Sequence, residues 1–487
     1  MKKSDVTSSP WFHFVCRARG LRPMLFIVTL MFIILPAAVI AQITRAEAQV
    51  AMQCYNNTFY NEYGTYGSSF KAMYYANTTR VDRTDFWREL ESIETLIDAH
   101  NIHNDTDFRN KIRYLYHGIR DAYGLTWSSN IYNDDIIWGA LMCIRAFHIF
   151  NDGGMKDMAI NNFNLVWNRA WDNNLGGGLW WTTDRTSKNA CVNAPAAICA
   201  MQLYYATGDV TFRNKAKQIM SWMKSRLYVA PSGEVKGAIN SGGIITEGAR
   251  TYTQGTFIGA AGELHKYYPT EGWKSMGQKA MDYTKNVMSN SSGLLPDEYC
   301  GMDDCPGFKG IFARWACKFV ADHNLSSTYG SWLNYNANQA WTYRNSSGLM
   351  WAQWWRRTPD GYLTSWETTS GISMMNNVFL YNPGTTAGRE GTSNKEIAVA
   401  QTPPVERMDA EPFTMYPNPV ARILTLTHDN DVKDGVIEII NSDGKLVLKQ
   451  TMTGTELDVA DLPDGIYTAI IHKGGKTFRR HFLKNHD

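Results

Sequence analysis

The strongest constraint on the fold is a long succession of amphipathic helical segments between Tyr55 and Tyr381. Apolar residues recur there with the helical period, and loops rich in Gly, Asn and Asp separate one segment from the next. The clearest segments are 107–120, 134–149, 155–167, 194–205, 211–227, 254–267 and 273–288. Helix stops at 207–209 (Thr-Gly-Asp) and 269–272 (Pro-Thr-Glu-Gly) separate neighbouring pairs.

About a dozen such helices fit a helical toroid, in which an inner and an outer ring bury their apolar faces against each other. We therefore predict an all-α (α/α)6 toroid over residues 50–385, with an irregular helical solenoid as the alternative. In a toroid the loops at one end form a cleft, which accounts for the Gly and aromatic residues in those loops.

Composition changes sharply after Tyr381, and all 17 tryptophans and all 8 cysteines precede that point. Residues 386–411 are rich in Gly, Thr, Pro and charge and are predicted to be a linker. Short alternating runs follow at 423–427, 436–440, 446–450, 466–471 and 476–482. Turn signals separate these runs, so residues 412–487 predict a small antiparallel β-sandwich.

The N-terminus carries basic residues, then an apolar run from Met24 to Ala41, then Ala-Glu-Ala at 46–48. This order is typical of a secretory signal peptide, and we predict residues 1–48 as a leader cleaved after Ala48. Because the apolar run is nearly long enough to span a bilayer, an uncleaved anchor is the alternative.

Charge and cysteine usage exclude other classes of protein. The formal net charge of +2 provides no basic field for nucleic acid, and the 44% hydrophobic content favours a folded core. Loss of Cys16 with the leader leaves an odd number of cysteines, which argues against a complete disulfide framework. Cys300 and Cys305 flank a tight loop and could pair in an oxidising compartment. Three cysteines in apolar helical segments are predicted to be buried: Cys143, Cys199 and Cys317. No spacing typical of zinc ligands occurs, and we expect no metal.

Two adjacent carboxylates, Asp134 and Asp135, open the apolar segment 134–149, and Trp138 follows one turn later. Glycoside hydrolysis needs two carboxyl groups in one cleft, and the 17 Trp, 25 Tyr and 20 Phe suit a sugar-binding surface. The alternative is a helix start with Asn133 as N-cap, where the helix dipole favours two acids. A second doublet at 303–304 is predicted to be a solvated loop, with calcium binding as a lesser alternative. Trp351, Trp354 and Trp355 are predicted to lie in the core or at a rim, with substrate contact as the lesser alternative.

The helical region resembles glycoside hydrolase family 76, the endo-α-1,6-mannanases, over about residues 55–380. The matching motifs, in the family's order, are Asn-Asp-Asp at 133–135 with Trp138, Gly-Gly-Leu-Trp-Trp at 177–181, Lys-Asn-Ala at 188–190, Asn-Ala-Pro at 193–195, the segment 251–261, and Phe-Lys-Gly-Ile-Phe-Ala-Arg at 308–314. Two departures bear on sugar contacts. Thr253 stands where the family commonly has Asn, and Lys236 or Asn240 stands where it often has Asp.

The resemblance implies a retaining glycosidase that cleaves α-mannan polysaccharides or oligosaccharides without a cofactor. It assigns Asp134 as nucleophile and Asp135 as general acid/base. Adjacent residues in a first helical turn can both face one sugar, and Asp135 would need a raised pKa. A mannan transglycosylase and a non-catalytic glycan-binding surface protein are the alternatives. We expect a monomer.

Further side chains are predicted to contact substrate: Trp138, Trp180, Trp181, Lys188, Asn189, Tyr252 and Gln254. The indoles of Trp180 and Trp181 suit stacking on pyranose faces, although core packing is the alternative and one ring in each role is expected. The polar ends of Lys188 and Asn189 suit sugar hydroxyls, with an exposed helix N-terminus as the alternative.

The C-terminal module resembles the sorting domain of type IX secretion substrates from Bacteroidetes. The matching pieces are Tyr-Pro-Asn-Pro at 416–419, the turn segments 439–445 and 462–467, and a basic ending through Arg479 and Arg480. A carbohydrate-binding sandwich is disfavoured because the module has no Trp. The resemblance implies export through the periplasm by the secretion machinery, to the medium or the outer cell surface.

Overall fold

The computed structural model describes residues 42–298, 304–382, 414–416, 420–427, 435–441, 445–473 and 476–484. The apolar run of the predicted leader and the predicted linker lie outside these residues. In the described part of 42–382 the α-helices are α1 Arg45–Phe59, α2 Phe86–His103, α3 Thr106–Tyr123, α4 Asn133–Phe150, α5 Gly153–Ala170, α6 Ala190–Thr207, α7 Val210–Arg226, α8 Thr251–His265, α9 Trp273–Tyr283, α10 Phe308–Asp322, α11 Ser326–Thr342 and α12 Ser365–Asn377.

Short strands lie between some of these helices. They are β1 Tyr60–Tyr66, β2 Ser69–Tyr74, β3 Ser187–Asn189, β4 Tyr228–Val229, β5 Glu234–Val235, β6 Ala238–Asn240 and β7 Ile245–Glu247. β1 pairs with β2 and β4 with β5, while β3, β6 and β7 form a three-stranded antiparallel sheet. Short 3-10 turns occupy Asn174–Gly176, Cys305–Gly307 and Val378–Leu380, and a π-helical turn, Thr284–Met288, follows α9.

The helix boundaries follow from local capping. Gly208 ends α6 at φ +73°, which suits glycine, and the Asp209 side chain accepts from Thr211 N (2.9 Å) to begin α7. Asp85 and Asp105 cap α2 and α3 in the same way. Thr364 and Glu367 form a capping box at the start of α12. Each predicted helical segment is present, although in the segment 273–288 the α-helix ends at Tyr283 and continues as the π-helical turn Thr284–Met288.

Six helices form a closed circuit of contacts. α2 contacts α4, α4 contacts α6, and the sequence continues through α8, α10 and α12, which returns to α2. Each remaining helix packs against one or two members of this circuit. In α8 every residue from Thr251 to Leu264 is buried, whereas α7 buries one face only. A helix buried on all sides belongs to the interior, so the circuit is the inner layer.

The six inner helices run in the same direction. Short turns join α2 to α3, α4 to α5 and α6 to α7, so each outer helix returns antiparallel to its inner partner. At the N-terminal end, Arg88 of α2 donates to Asp304 (2.6 Å), which precedes α10. Trp366 of α12 donates to the Asp304 carbonyl (2.7 Å). The N-termini of the inner helices therefore meet at one end, which we call the N-terminal mouth.

A buried ion cluster ties the inner helices together. Arg314 of α10 donates to Asp98 and to Glu91 of α2 at 2.7 Å each. Arg145 of α4 donates to Asp98 (2.6 Å) and also to Glu94. Burial raises the pKa of Glu91 to about 7, against the opposing effect of Arg314. Loss of one partner in such a network leaves an uncompensated charge, so the cluster fixes how α2, α4 and α10 pack.

The C-terminal module contains two antiparallel sheets. Its strands are β8 Thr414–Tyr416, β9 Ile423–Thr427, β10 Val436–Asn441, β11 Leu446–Thr451, β12 Glu456–Asp458, β13 Gly465–Lys473 and β14 Lys476–Lys484. The strand orders are β11-β10-β13-β14 and β12-β9-β8. Leu424 and Leu457 of one sheet share an apolar cluster with Ile437 and Ile471 of the other. The predicted antiparallel strands are confirmed, while β8 and β12 were too short to predict.

The predicted cleavage point falls inside α1. Ala48 is fully buried, and Thr44 and Glu47 form the capping box of this helix. Ile43 is also buried, and its N–H donates to Asn338 Oδ1 (2.7 Å). Cleavage after Ala48 stays a prediction, and it would remove these contacts with the first turn. Nowhere in the described residues is a helix both long and apolar enough to cross a membrane.

The cysteines match their sequence environments. Cys143, Cys199 and Cys317 are free and completely buried, as predicted. Cys305 is disulfide-bonded, and its partner lies outside the described residues, as does Cys300. The pairing of Cys300 with Cys305 stays a prediction.

Candidate active site

Asp134 and Asp135 lie in the first turn of α4, at the N-terminal mouth, and both are partly exposed. Tyr132 is the N-cap residue and makes no side-chain capping bond. The buried Asn133 accepts from Arg169 Nε (2.6 Å) and donates to the Trp180 carbonyl (2.9 Å). The alternative interpretation of Asn133 as an N-cap is therefore wrong, because its side chain ties a neighbouring loop to the start of α4.

The two carboxyl groups have unequal environments. Burial raises the pKa of Asp134 to about 6, while the Cys191 thiol and the Trp181 indole act in the opposite direction. Asp134 Oδ1 is buried and has no hydrogen-bond partner within the described residues. Burial and the neighbouring Asp134 charge raise the pKa of Asp135 to about 7, although Asn130 Nδ2 donates to its Oδ2 (3.0 Å). Asp135 therefore holds its proton to higher pH than Asp134.

More negative charge lies on the side of Asp135. Asp85 and Asp304 also raise the pKa of Asp135, after burial and Asp134. Arg88 bonds both of these acids, at 3.2 Å to Asp85 and 2.6 Å to Asp304. The structure therefore corrects the prediction of a freely solvated loop at Asp304, whereas Asp303 lies outside the described residues.

Aromatic side chains border the carboxyl pair. Trp181 is partly exposed, and its ring centroid lies 5.5 Å from that of Tyr132, which is 41% exposed. The Asn133 N–H donates to the Trp181 carbonyl (2.8 Å), which fixes the loop beside α4. Tyr132 was missed from the sequence, although its position two residues before Asp134 was a signal. Tyr252 interacts with Asp134 from α8, but only 6% of it is exposed.

Two predicted sugar-stacking residues lie in the core instead. Trp138 is 3% exposed and Trp180 is 2% exposed. Trp180 Nε1 donates to Asp172 Oδ2 (2.6 Å), which leaves its N–H satisfied inside the protein. A pyranose cannot reach either ring, so both predicted substrate contacts are corrected. The Trp-Trp pair divides as expected, with Trp181 alone at the surface.

Two predicted polar contacts are also used inside the protein. Lys188 is completely buried, and its ammonium donates to Asp172 Oδ1 (2.8 Å) and to the carbonyls of Asn174 (2.8 Å) and Gly177 (2.7 Å). Gln254 is completely buried and bonds only backbone groups, among them Val235 N (2.6 Å). These side chains position loops and bind no sugar. Asn189, at 8% exposure with an unpartnered Oδ1, stays a candidate contact.

A third carboxylate near the pair escaped the sequence analysis. The charge of Glu247 on β7 acts on both Cys191 and Tyr252, which themselves interact with Asp134. A Cβ on Gly237 would lie 2.6 Å from Glu247 Oε2, so this carboxylate packs directly on the glycine. The preceding Lys236 pairs with Glu234 (2.7 Å). The pairing of β6 with β7 brings Glu247 close to the carboxyl pair, and no local sequence motif predicts this contact.

Metal ligands do not assemble in the described part of the chain, where no three His, Cys, Asp or Glu side chains come together as a binding group.

An inner circuit of six helices carries paired carboxyl groups beside the partly exposed Trp181 and the exposed Tyr132 at its N-terminal mouth, and paired carboxyl groups are what glycoside hydrolysis requires. Residues 42–388 match the family described as Glycosyl hydrolase family 76, and the chain belongs to this family. Residues 414–485 match the Secretion system C-terminal sorting domain. Both resemblances noted in the sequence are confirmed.

Several named proteins are similar to this chain. Mannan endo-1,6-alpha-mannosidase DFG5 of Saccharomyces cerevisiae is 26% identical over 284 residues, which cover 51% of this chain and 60% of the yeast protein. The chain thus spans less than two thirds of that relative. The GH76A alpha-1,6-mannanase of Salegentibacter sp. HEL1_6 is 25% identical, with a TM-score of 0.61, covering 69% of this chain and 99% of that one.

A second structure of the Salegentibacter enzyme is an inactive variant, in which two consecutive aspartates are replaced by asparagine, in complex with alpha-1,6-mannotriose. A family 76 glycoside hydrolase from a bovine Bacteroides thetaiotaomicron strain has a TM-score of 0.61 at 14% identity, covering 70% of this chain and 78% of that one. At that identity the likeness shows the fold alone.

Proposed function

We propose that this chain is a secreted endo-acting α-1,6-mannanase that hydrolyses mannan with retention of configuration, on an (α/α)6 toroid. The observation that carries the proposal is the pair Asp134 and Asp135 at the start of α4, with both pKa values raised and that of Asp135 the higher. The inactive Salegentibacter variant, changed at two consecutive aspartates, supports the same pairing. The circuit of six inner helices supports the toroid.

The proposed mechanism uses two displacements. Ionised Asp134 attacks the anomeric carbon, while Asp135 gives its proton to the departing glycosidic oxygen, and a glycosyl ester forms on Asp134. Asp135 then removes a proton from water, which attacks the same carbon and releases Asp134 as a carboxylate. The α configuration is inverted twice and so retained. The higher pKa of Asp135 suits the acid, and the lower pKa of Asp134 suits the nucleophile.

The surrounding residues support these roles. The amides of the first turn of α4 and the helix dipole favour the Asp134 anion. Asp85 and Asp304 favour the protonated form of Asp135. Trp181 and Tyr132 provide exposed rings on which the reacting sugar can stack.

The test uses purified protein with unbranched α-1,6-mannan, branched mannan and a β-glucan, with the products sized and their anomers followed by proton NMR. We expect internal cleavage of unbranched mannan and the α-anomer as first product. Asp134→Asn serves as the inactive control. An initial β-anomer would refute retention, and the absence of cleavage on every α-mannan would refute the enzyme. Longer products with excess oligosaccharide acceptor would indicate transglycosylation instead.

We further infer that the sorting domain at 414–485 directs the chain out of the cell or to its surface, where the catalytic unit acts as a monomer. Secretion agrees with the apolar leader and with a polymeric substrate. Cell fractionation of the native host with and without the module tests export, and sedimentation of the purified protein tests the monomer.

A further inference from the structure

Trp355 has the largest exposed fraction of any tryptophan in the described chain, at 49%. Its neighbour Trp354 is buried, with the Lys309 ammonium 4.1 Å from its ring centroid. Most tryptophans in the described residues are buried, so an indole left half in solvent stands apart from the others.

The exposed ring is held in one orientation. Trp355 Nε1 donates to Asp297 Oδ2 (2.6 Å), which fixes the edge of the indole. The Arg356 guanidinium lies 5.2 Å from the Trp355 centroid and 4.5 Å from that of Trp351. Arg356 in turn donates from Nε to Gln353 Oε1 (2.6 Å). The Arg356 guanidinium therefore lies over the Trp355 ring, and the hydrogen bond to Asp297 preorganises this half-exposed indole.

Trp355 lies at the N-terminal mouth, like the catalytic pair. The segment that carries it leads from α11 into the start of α12. Lys309, in the first turn of α10, donates to the Pro296 carbonyl (3.2 Å), next to Asp297. Glu298 accepts from Thr251 N (2.9 Å), at the start of α8. The anchor of Trp355 thus rests on the N-terminal ends of α8 and α10.

The ring geometry places Trp355 across the mouth from the aspartates. In the order α2, α4, α6, α8, α10, α12, the helix that carries Asp134 is opposite α10. Packed helices lie about 8–10 Å apart, so opposite members of a six-membered ring are roughly 16–20 Å apart. At this axial spacing, a longer chain that crosses the mouth from Asp134 would reach Trp355, whereas a single sugar would not.

We propose that the exposed indole of Trp355 is a distal platform for a pyranose of the same polysaccharide chain that the aspartates cleave. The inference rests on the proposed mannan hydrolysis and adds a preference for long substrates. A flat indole face of fixed orientation suits the apolar face of a pyranose, and a neutral sugar chain needs no further charge at this site.

The test compares kcat/KM on an α-1,6-linked hexasaccharide and on the trisaccharide. Trp355→Ala should lower kcat/KM on the hexasaccharide about 3- to 10-fold, mainly through KM, and leave the trisaccharide unchanged. Trp355→Phe keeps a ring and should lose less. Tyr267→Ala is the matched control, because Tyr267 is 37% exposed just beyond the C-terminal end of α8. Melting curves should coincide for all variants.

Equal losses on both substrates, or none on the hexasaccharide, would overturn the platform. A wild-type protein that cleaves no α-mannan would refute the proposed function without reference to Trp355. Retention in native gels containing mannan then decides the platform. If mannan slows the migration of the wild-type protein but not of Trp355→Ala, the platform is supported. If it slows both proteins equally, or neither, the platform is overturned.

Discussion

Asp135→Asn should make the protein more stable, and the gain should grow with pH. Burial and the Asp134 charge raise the pKa of Asp135 from 3.8 to about 7. The folded protein therefore binds this proton more tightly than the unfolded chain does. Stability is lost as pH rises from about 4, and the loss is complete above about 7. Asparagine does not titrate, so the variant escapes this loss.

The magnitude follows from the same pKa. A rise from 3.8 to about 7 corresponds to roughly 4 kcal/mol of unfolding free energy above pH 7. Because the side chain is partly exposed and titrates together with Asp134, we expect a smaller effect. The advantage of Asp135→Asn over wild type should be about 1–2 kcal/mol greater at pH 8 than at pH 5.

Urea unfolding at the two pH values, followed by circular dichroism, measures this difference. The control is Asp209→Asn, the same chemical change at an exposed N-cap. Hydrogen bonds from Thr211 lower the pKa of Asp209 below 3.8, so this variant should lose stability by nearly the same amount at pH 5 and at pH 8, because Asp209 is ionised at both pH values in the folded and the unfolded chain. If Asp135→Asn is destabilising at pH 8, or its effect does not depend on pH, desolvation does not set the pKa of Asp135.

Four further results are expected. The pH profile of kcat/KM should be a narrow bell with limbs near 6 and 7, because one carboxyl must be ionised and the other protonated; a flat profile between pH 5 and 8 would contradict this. Trp180→Ala should cost about 3–5 kcal/mol of stability, whereas Trp181→Ala should mainly raise KM, as melting curves beside kinetics will show. Lys188→Met should lower both melting temperature and kcat, since it releases the loop that holds Trp181; activity at wild-type level would return Lys188 to a passive core role. Deletion from Phe413 onward should leave mannan cleavage by the purified protein intact and stop export in the native host.

The local parts of the fold were predictable from the sequence. The segment 134–149 is α4 with bounds Asn133–Phe150, and the strand 423–427 has the predicted ends. Periodicity and capping residues such as Asp209 are local signals, so they predict helices and their ends without knowledge of the tertiary structure. The contact of α12 with α2 joins distant parts of the chain, and no local pattern contains it.

The polar residues of the site were harder to interpret. Lys188 and Gln254 stand at helix or strand ends near the mouth, where a polar side chain resembles a ligand in sequence. In the fold, the Asp172 carboxylate and nearby backbone carbonyls accept from Lys188, and backbone groups alone bond Gln254. Glu247 shows the reverse error, because it reaches the site only through the register of β6 and β7 against Gly237. Which buried backbone groups need a side-chain partner depends on the tertiary structure. Residue type alone therefore could not separate residues that position loops from residues that contact substrate.

The two kinds of residue should nevertheless be separable by the sign of their effect on stability. Asp134 and Asp135 are held partly desolvated, so replacing either with a neutral isostere relieves an unfavourable state and abolishes activity. Asn133 and Lys188 satisfy buried backbone carbonyls, so their loss leaves those groups unpaired and lowers stability together with activity. A residue whose isosteric replacement stabilises the fold and stops turnover acts on the sugar, whereas one whose replacement lowers both acts through the carboxyl pair.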